Sequence, residues 1–204
     1  MSIKVQKRES TVVRQKEIID AARKLVSKYG SEHLTVKRIA DEVGITQGAI
    51  YRHFKSKRDI LSFLADHIQD NLIGDIQKGI ESNRSHEPVE ILENVLRNHL
   101  SSIAQREGIS FQVIAEIISL GDKKLNKKIY GIINSYTGRI QAILAEGVKA
   151  GEIREDIDLD STAVMFFGMV QGLVSIWTLS NHGFKLQEKS DPLWKVFREL
   201  LARR

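Results

Sequence analysis

The stretch Gly44-Ile-Thr-Gln-Gly-Ala-Ile-Tyr-Arg-His-Phe-Lys-Ser-Lys57 sets two glycines, two aliphatic hydroxyl residues and three strongly basic side chains inside fourteen positions. Upstream of it, Thr35 is an N-cap residue type opening a helix that carries Val36, Ile39, Ala40 and Val43 on one face and stops at Gly44. Thr46, a second N-cap type, opens another short helix that ends near Phe54. Two helices crossing at about 90–120° need a short turn, usually with glycine, and a small residue where they touch. Gly44, Ile45 and Ala40 supply both, so residues 35–54 read as a helix-turn-helix.

What that crossing leaves outward gives the stretch its chemistry. In a helix-turn-helix the first residues of the second helix face base edges in the major groove, here Thr46, Gln47 and Gly48. Glutamine pairs in bidentate fashion with adenine, threonine meets a thymine methyl or a phosphate, and glycine lets the backbone come close. Tyr51 and His53 follow one turn later and, with the Thr35 hydroxyl, are expected on phosphates. Lys55 and Lys57 stand where the next helix begins, a position that favours an anion. Arg52 is placed to take either a phosphate or a guanine edge.

Charge agrees. Residues 1–60 carry 14 Lys and Arg against 7 Asp and Glu, whereas residues 61–204 carry 17 against 19. A basic head on a slightly acidic body suggests a polyanionic partner at one end.

Elsewhere apolar residues recur at spacings of three and four, and no segment alternates at two, so the expected fold is all-α. A first helix is expected over Thr11–Tyr29, burying Ile18, Ala22, Leu25 and Tyr29. Ser56 and Asp59 resemble a capping box opening a long fourth helix with Ile60, Leu64, Ile68, Leu72, Ile76 and Ile80 at every fourth place. Five more helices are expected: Pro88 to about Arg106, Phe111–Leu120, Leu125–Val148, Ser161–Ser180 and one begun by Asp191-Pro192. The domains expected are a DNA-binding head at 1–60 and a body at 61–204. The polar, basic N-terminus reads as an arm, not a secretory signal.

Several classes of chemistry find no support. The chain has no cysteine, which excludes thiolate catalysis, disulfides and cysteine zinc sites and fits a cytoplasmic location. No phosphate loop, HExxH pair or nucleophile elbow occurs, so an enzyme is not expected, and no cofactor or metal is expected either. Asp156, Asp158 and Asp160 alternate as in a calcium loop, but Ser161 and Phe167 stand where that loop needs glycine and glutamate. The apolar run Ala163–Leu179 is broken by Gln171, Ser175 and Thr178 and sits at the short end of the about 17–25 residues that span a bilayer, so it reads as a buried helix.

The segment Thr35–Leu61 resembles, nearly position for position, the DNA-binding signature of the TetR family of bacterial transcriptional regulators; the resemblance covers roughly residues 11–64. It implies a three-helix head on a six-helix body, a homodimer packed through the last two helices, a palindromic double-stranded DNA operator, and a small effector inside the body that shifts the fourth helix. Carried over, the family's DNA contacts fall on Thr35, Thr46, Gln47, Gly48, Tyr51, His53 and Lys57.

Two expectations concern the body. The eighth helix is apolar nearly all round, and Phe167, Gly168, Val170, Gly172 and Val174, with Val196, Phe197, Leu200 and Leu201 on the ninth, are the candidate dimer face; a central core helix is the alternative. Phe63, His67, His99, Ile103, Phe111, Ile114, Met165, Phe166 and Trp177 are the candidate lining of a mainly apolar ligand cavity, or plain core. The functional reading is a repressor released by a small apolar ligand; the alternative is an architectural or cell-division DNA-binding factor of the same fold.

Overall fold

The computed structural model describes residues 11–30, 33–82 and 87–202. Among them, α1 is Thr11–Tyr29, α2 Val36–Val43, α3 Gln47–Tyr51, α4 Lys57–Glu81, α5 Pro88–Gln105, α6 Ile109–Leu120, α7 Lys123–Lys149, α8 Leu159–Leu179 and α9 Ser190–Leu201, with a 3-10 turn at Leu186–Lys189. No strand occurs among the described residues, and the fold is all-α. The basic arm expected at residues 1–10, and most of the loop before Pro88, lie outside the described residues.

The chain divides into two compact units, Met1–Leu64 and Ala65–Arg204. In the first, Ile18, Ala22 and Leu25 of α1 are buried with Leu34, Ile39, Ala40, Ile50, Phe54 and Ile60. Tyr29, expected inside, is 46% exposed. It sits on the last turn of α1, where its ring carries the Arg38 guanidinium 5.8 Å from its centroid and the Lys28 ammonium at 5.1 Å. At the surface the ring meets both cations while their charged ends stay in water, which burial would deny them. Lys24 pairs with Glu42, linking α1 to α2 a second time.

In the second unit α7 and α8 form the principal helix pair. The α5 helix packs on α7 and α9, and α6 on α7 and α8. Leu92, Val95, Leu96, Leu100, Ile129, Ile140, Leu144, Phe166, Val170, Val174 and Phe197 are buried. Tight helix approach shows at Gly79 of α4, where a Cβ would stand 2.5 Å from Val95 Cγ2 and 2.9 Å from the Val95 backbone nitrogen. Polar ties fasten the ends: Arg97 of α5 meets Asp191 of α9 at 2.5 Å, and the Arg154 backbone N–H donates to Leu201 O at 3.1 Å.

By length and composition α8 would serve as a membrane span. Here Thr162, Ala163, Phe166, Val170, Val174 and Trp177, three and four residues apart, are buried as its inner face.

Candidate functional site

The helix-turn-helix is built by its caps. Thr35 is extended at φ −122° and its Oγ1 accepts from the Arg38 N–H at 3.2 Å, starting α2. Gly44 ends α2 in the left-handed region at φ 75°, where a β-carbon is disfavoured. Its neighbour Ile45 donates its N–H to Ala40 O at 2.9 Å, closing the turn. Thr46 Oγ1 then accepts from the Ala49 N–H at 3.2 Å and starts α3.

Two threonine hydroxyls that the sequence assigns to DNA therefore also cap helices. α3 is shorter than expected, because Ile50 O accepts from both the His53 and Phe54 N–H groups at 2.9 Å and tightens the chain into a turn. Ile50 and Phe54 are buried beneath it. Thr35, Thr46, Gln47, Gly48, Tyr51, Arg52 and Lys55 are exposed, and His53 and Lys57 are half-buried. Tyr51 holds half of its surface free on a five-residue helix whose one buried side chain is Ile50. At the start of α4 the capping pair is displaced by one residue: Ser56 Oγ accepts from the Asp59 N–H at 3.3 Å, while Asp59 accepts from the Lys55 N–H at 2.8 Å.

The second site is a cavity wholly within the body. Its walls come from α4 (Ile68, Asn71, Leu72, Asp75), α5 with its C-cap (His99, Ile103, Arg106), α6 (Ser110, Phe111, Ile114) and α8 (Phe167, Gln171, Val174). Its volume is about 20 Å³, room for about one water molecule. Apolar walls carry a polar floor. Asp75, 1% exposed, accepts from Ser102 Oγ–H at 2.6 Å on Oδ1, with Arg106 Nη2 3.7 Å from the same oxygen. Asp75 Oδ2 is buried and has no hydrogen-bond partner among the described residues. Burial raises the Asp75 carboxyl above the ordinary carboxylate range, opposed by the Ser102 hydrogen bond and the Arg106 charge.

Beside it His99 Nδ1 lies 3.0 Å from the Tyr136 hydroxyl, the imidazole tautomer setting which group donates. Burial, and then the positive charge of Arg106, lower His99 to about 4. Burial, and then the charge of Asp75, push the Tyr136 hydroxyl up. Both side chains are thus neutral at pH 7.

Of the nine expected cavity residues, His99, Ile103, Phe111 and Ile114 line this space. The other five do not. Phe63 lies edge-on to Phe54 at 5.8 Å, His67 is half-buried, and Met165 is 42% exposed. Phe166 packs edge-on against Phe197 at 5.2 Å, while Trp177 stacks on His182 at 4.0 Å and donates from Nε1 to Phe184 O at 2.9 Å. For Met165, Phe166 and Trp177 the cause is rotational, since α8 turns Phe167, Gln171 and Val174 to the cavity. Asn71, Asp75, Arg106, Ser110 and Gln171 escaped the sequence reading. Asp75 had a usable signal: it sits three and seven residues after Leu72 and Ile68, a carboxylate on an apolar face.

Of the expected dimer face, Gly168, Gly172, Val196 and Leu200 are exposed. Val170, Val174, Phe197 and Leu201 are instead buried in their own chain, and Phe167 turns to the cavity. Val164, Met165, Ile176 and Leu179 take outward places, and Val164, Gly168, Gly172 and Ile176 form an exposed stripe on α8 at four-residue spacing.

Comparison with known proteins completes the picture. The profile "Bacterial regulatory proteins, tetR family" matches residues 18–62, and "YsiA-like protein, C-terminal region" matches residues 66–200. The chain is 29% identical to the fatty acid metabolism regulator protein of Bacillus subtilis, over 88% of this chain and 91% of that one. It is 26% identical to the nucleoid occlusion factor SlmA of Photobacterium profundum, over 93% and 96% of the two chains. Among solved structures it is similar to the transcriptional regulator FadR from Bacillus subtilis in complex with stearoyl-CoA, at 27% identity and a TM-score of 0.77, covering 91% of this chain and 98% of that one. The helix-turn-helix head, the all-helical body and a profile match across most of the chain lead to one conclusion: this protein is a DNA-binding transcriptional regulator and belongs to the TetR family, with a YsiA-like C-terminal region.

Proposed function

We propose that the chain is a homodimeric repressor that leaves a palindromic operator when its body takes up a long-chain acyl ligand, an acyl-CoA or the acid from which it is made. The observation that carries this reading is the course of α4. One helix bears Lys57 at its first position and Ile68, Asn71, Leu72 and Asp75 in the cavity wall. The acyl assignment is supported by the apolar walls and by the relative solved with stearoyl-CoA.

The smallness of the cavity supplies the coupling. A space for about one water holds an acyl chain only after the surrounding helices part. Ligand then binds the opened body better than the closed one and shifts the population by that difference in affinity. In the closed form Thr46, Gln47 and Gly48 face the bases, Arg52 meets a guanine edge or a phosphate, and Thr35, Tyr51, His53, Lys55 and Lys57 hold the backbone. The domains proposed are the DNA-binding head at 1–60 and the ligand-binding and dimerisation body at 61–204. The exposed stripe Val164, Gly168, Gly172 and Ile176, with Val196 and Leu200, forms the two-fold interface; nothing stands within 4 Å of a Cβ built at either glycine, so a partner helix can approach closely. The chain works by binding rather than catalysis, where the chromosome is.

Genome-wide mapping of binding sites tests this reading. Palindromic sites beside genes for acyl-chain chemistry are expected. Sites spread along the chromosome without such neighbours, and no uptake of acyl compounds, would favour the second reading, an architectural or cell-division DNA-binding factor of the same fold, which the similarity to the nucleoid occlusion factor SlmA supports.

A further inference from the structure

The floor of the cavity is unlike its walls. Phe111, Ile114, Phe167 and Val174 make the walls, whereas Asp75 presents a carboxylate that is 1% exposed. Only one of its oxygens is used. Oδ1 takes the Ser102 hydroxyl proton at 2.6 Å and faces Arg106 Nη2 at 3.7 Å, while Oδ2 is buried without a hydrogen-bond partner among the described residues. With Oδ1 engaged by a hydroxyl donor and a guanidinium, Oδ2 is the carboxyl oxygen left to take a further hydrogen bond. A buried acceptor left empty is destabilising, and native proteins fill such positions.

We propose that Asp75 determines ligand specificity: its Oδ2 accepts a hydrogen bond from a hydroxyl or amide N–H carried by the ligand, so the body selects an acyl compound with such a donor over a plain hydrocarbon chain. The inference rests on the acyl reading above and adds to it the polar group that the cavity recognises. A plain chain lying over Asp75 leaves Oδ2 empty in apolar surroundings. Sites built around a buried polar group discriminate strongly against ligands that lack its partner. Asn71, Ser110 and Gln171 around the same space can hold the second lone pair or proton of that group.

The donor has two sources, a hydroxyl on the acyl chain or an amide of the thiol carrier, and one experiment separates them. Calorimetric titration of the full-length protein uses palmitic acid, hexadecanoic acids hydroxylated at the second, third or a mid-chain carbon, and palmitoyl-CoA. A hydroxyl source predicts that at least one hydroxy acid binds about tenfold or more tightly than palmitic acid. A carrier source predicts that preference for palmitoyl-CoA instead. In Asp75→Asn the amide can still accept from Ser102 while presenting NH₂ where Oδ2 stood, so the preference falls below about threefold in either case. The comparison among ligands on the unaltered protein stands even if the variant fails to fold.

Equal affinity for all probes, unchanged in Asp75→Asn, would overturn the inference and assign Oδ2 to a structural water. No binding of any acyl probe to the unaltered protein would remove the acyl reading itself, and this inference with it.

Discussion

Gln47 and Tyr51 stand four positions apart on α3, both exposed, and differ in what they are placed to read. Replacing Gln47 with alanine is expected to relax base preference, by about 1–3 kcal/mol at one position of each half-site, while leaving non-specific affinity nearly intact. Replacing Tyr51 with alanine is expected to weaken all sequences alike. Anisotropy titrations on operator and scrambled DNA measure both, and identical responses would mean that the groove-facing side has been misassigned. In the body, His99 makes a prediction about pH. Its folded value of about 4 lies below the ordinary 6.5, so between the two the unfolded chain holds the extra proton and stability falls as the pH drops. From pH 7 to pH 5 that loss is about 2 kcal/mol. The raised Asp75 carboxyl contributes an opposite slope, present equally in a His99→Gln variant, while the Tyr136 hydroxyl, pushed up by burial, keeps its proton. Urea melts of the two proteins at both pH values should therefore differ in slope, and parallel curves would refute a buried neutral imidazole. At this scale His99, Ile103, Phe111 and Ile114 were legible because apolar spacing assigns them an inward face. The same spacing turns Asp75 inward, but its pairing is not legible, because its partners Ser102 and Arg106 lie on α5 and at its C-cap, remote in the chain.

Elements were easier to read than their faces. Caps such as Thr35 and Gly44 are local chemistry, so the limits of α2 follow directly from residue type. Which side of α8 turns inward is a different matter. An almost continuously apolar helix has no polar face to mark its orientation, so spacing alone does not tell which of its residues turn to the cavity and which form the exposed stripe. Close approach between helices was equally hidden. Gly79 reads as a mere helix-weakening residue, yet a β-carbon there would meet the Val95 backbone nitrogen at 2.9 Å. Gly79→Ala is therefore expected to destabilise the body by about 1–3 kcal/mol despite alanine's better helix propensity. Denaturant unfolding checks it, and a neutral or stabilising result would show that α4 and α5 can separate at no cost.

For the whole molecule, the surface of α8 carries the prediction. Ile176 is 61% exposed in the single chain, so Ile176→Asp should leave the protomer folded. If the stripe is the two-fold interface, sedimentation velocity at micromolar concentration should show the unaltered protein as a dimer and the variant as a monomer. Operator affinity should fall with dimerisation, because two linked heads bind far more tightly than one. A dimeric Ile176→Asp protein would place the interface elsewhere.

DNA binding in the head and acyl binding in the body are joined in one proposed mechanism. Its most direct test is the anisotropy of labelled DNA from the region preceding the chain's own gene, titrated with protein at moderate salt and then with palmitoyl-CoA and its hydroxylated analogues. Saturable binding that an acyl compound reverses is expected of the unaltered protein, with Asp75→Asn changing which compound is effective. Binding that no acyl compound reverses, or no specific binding at all, would contradict it.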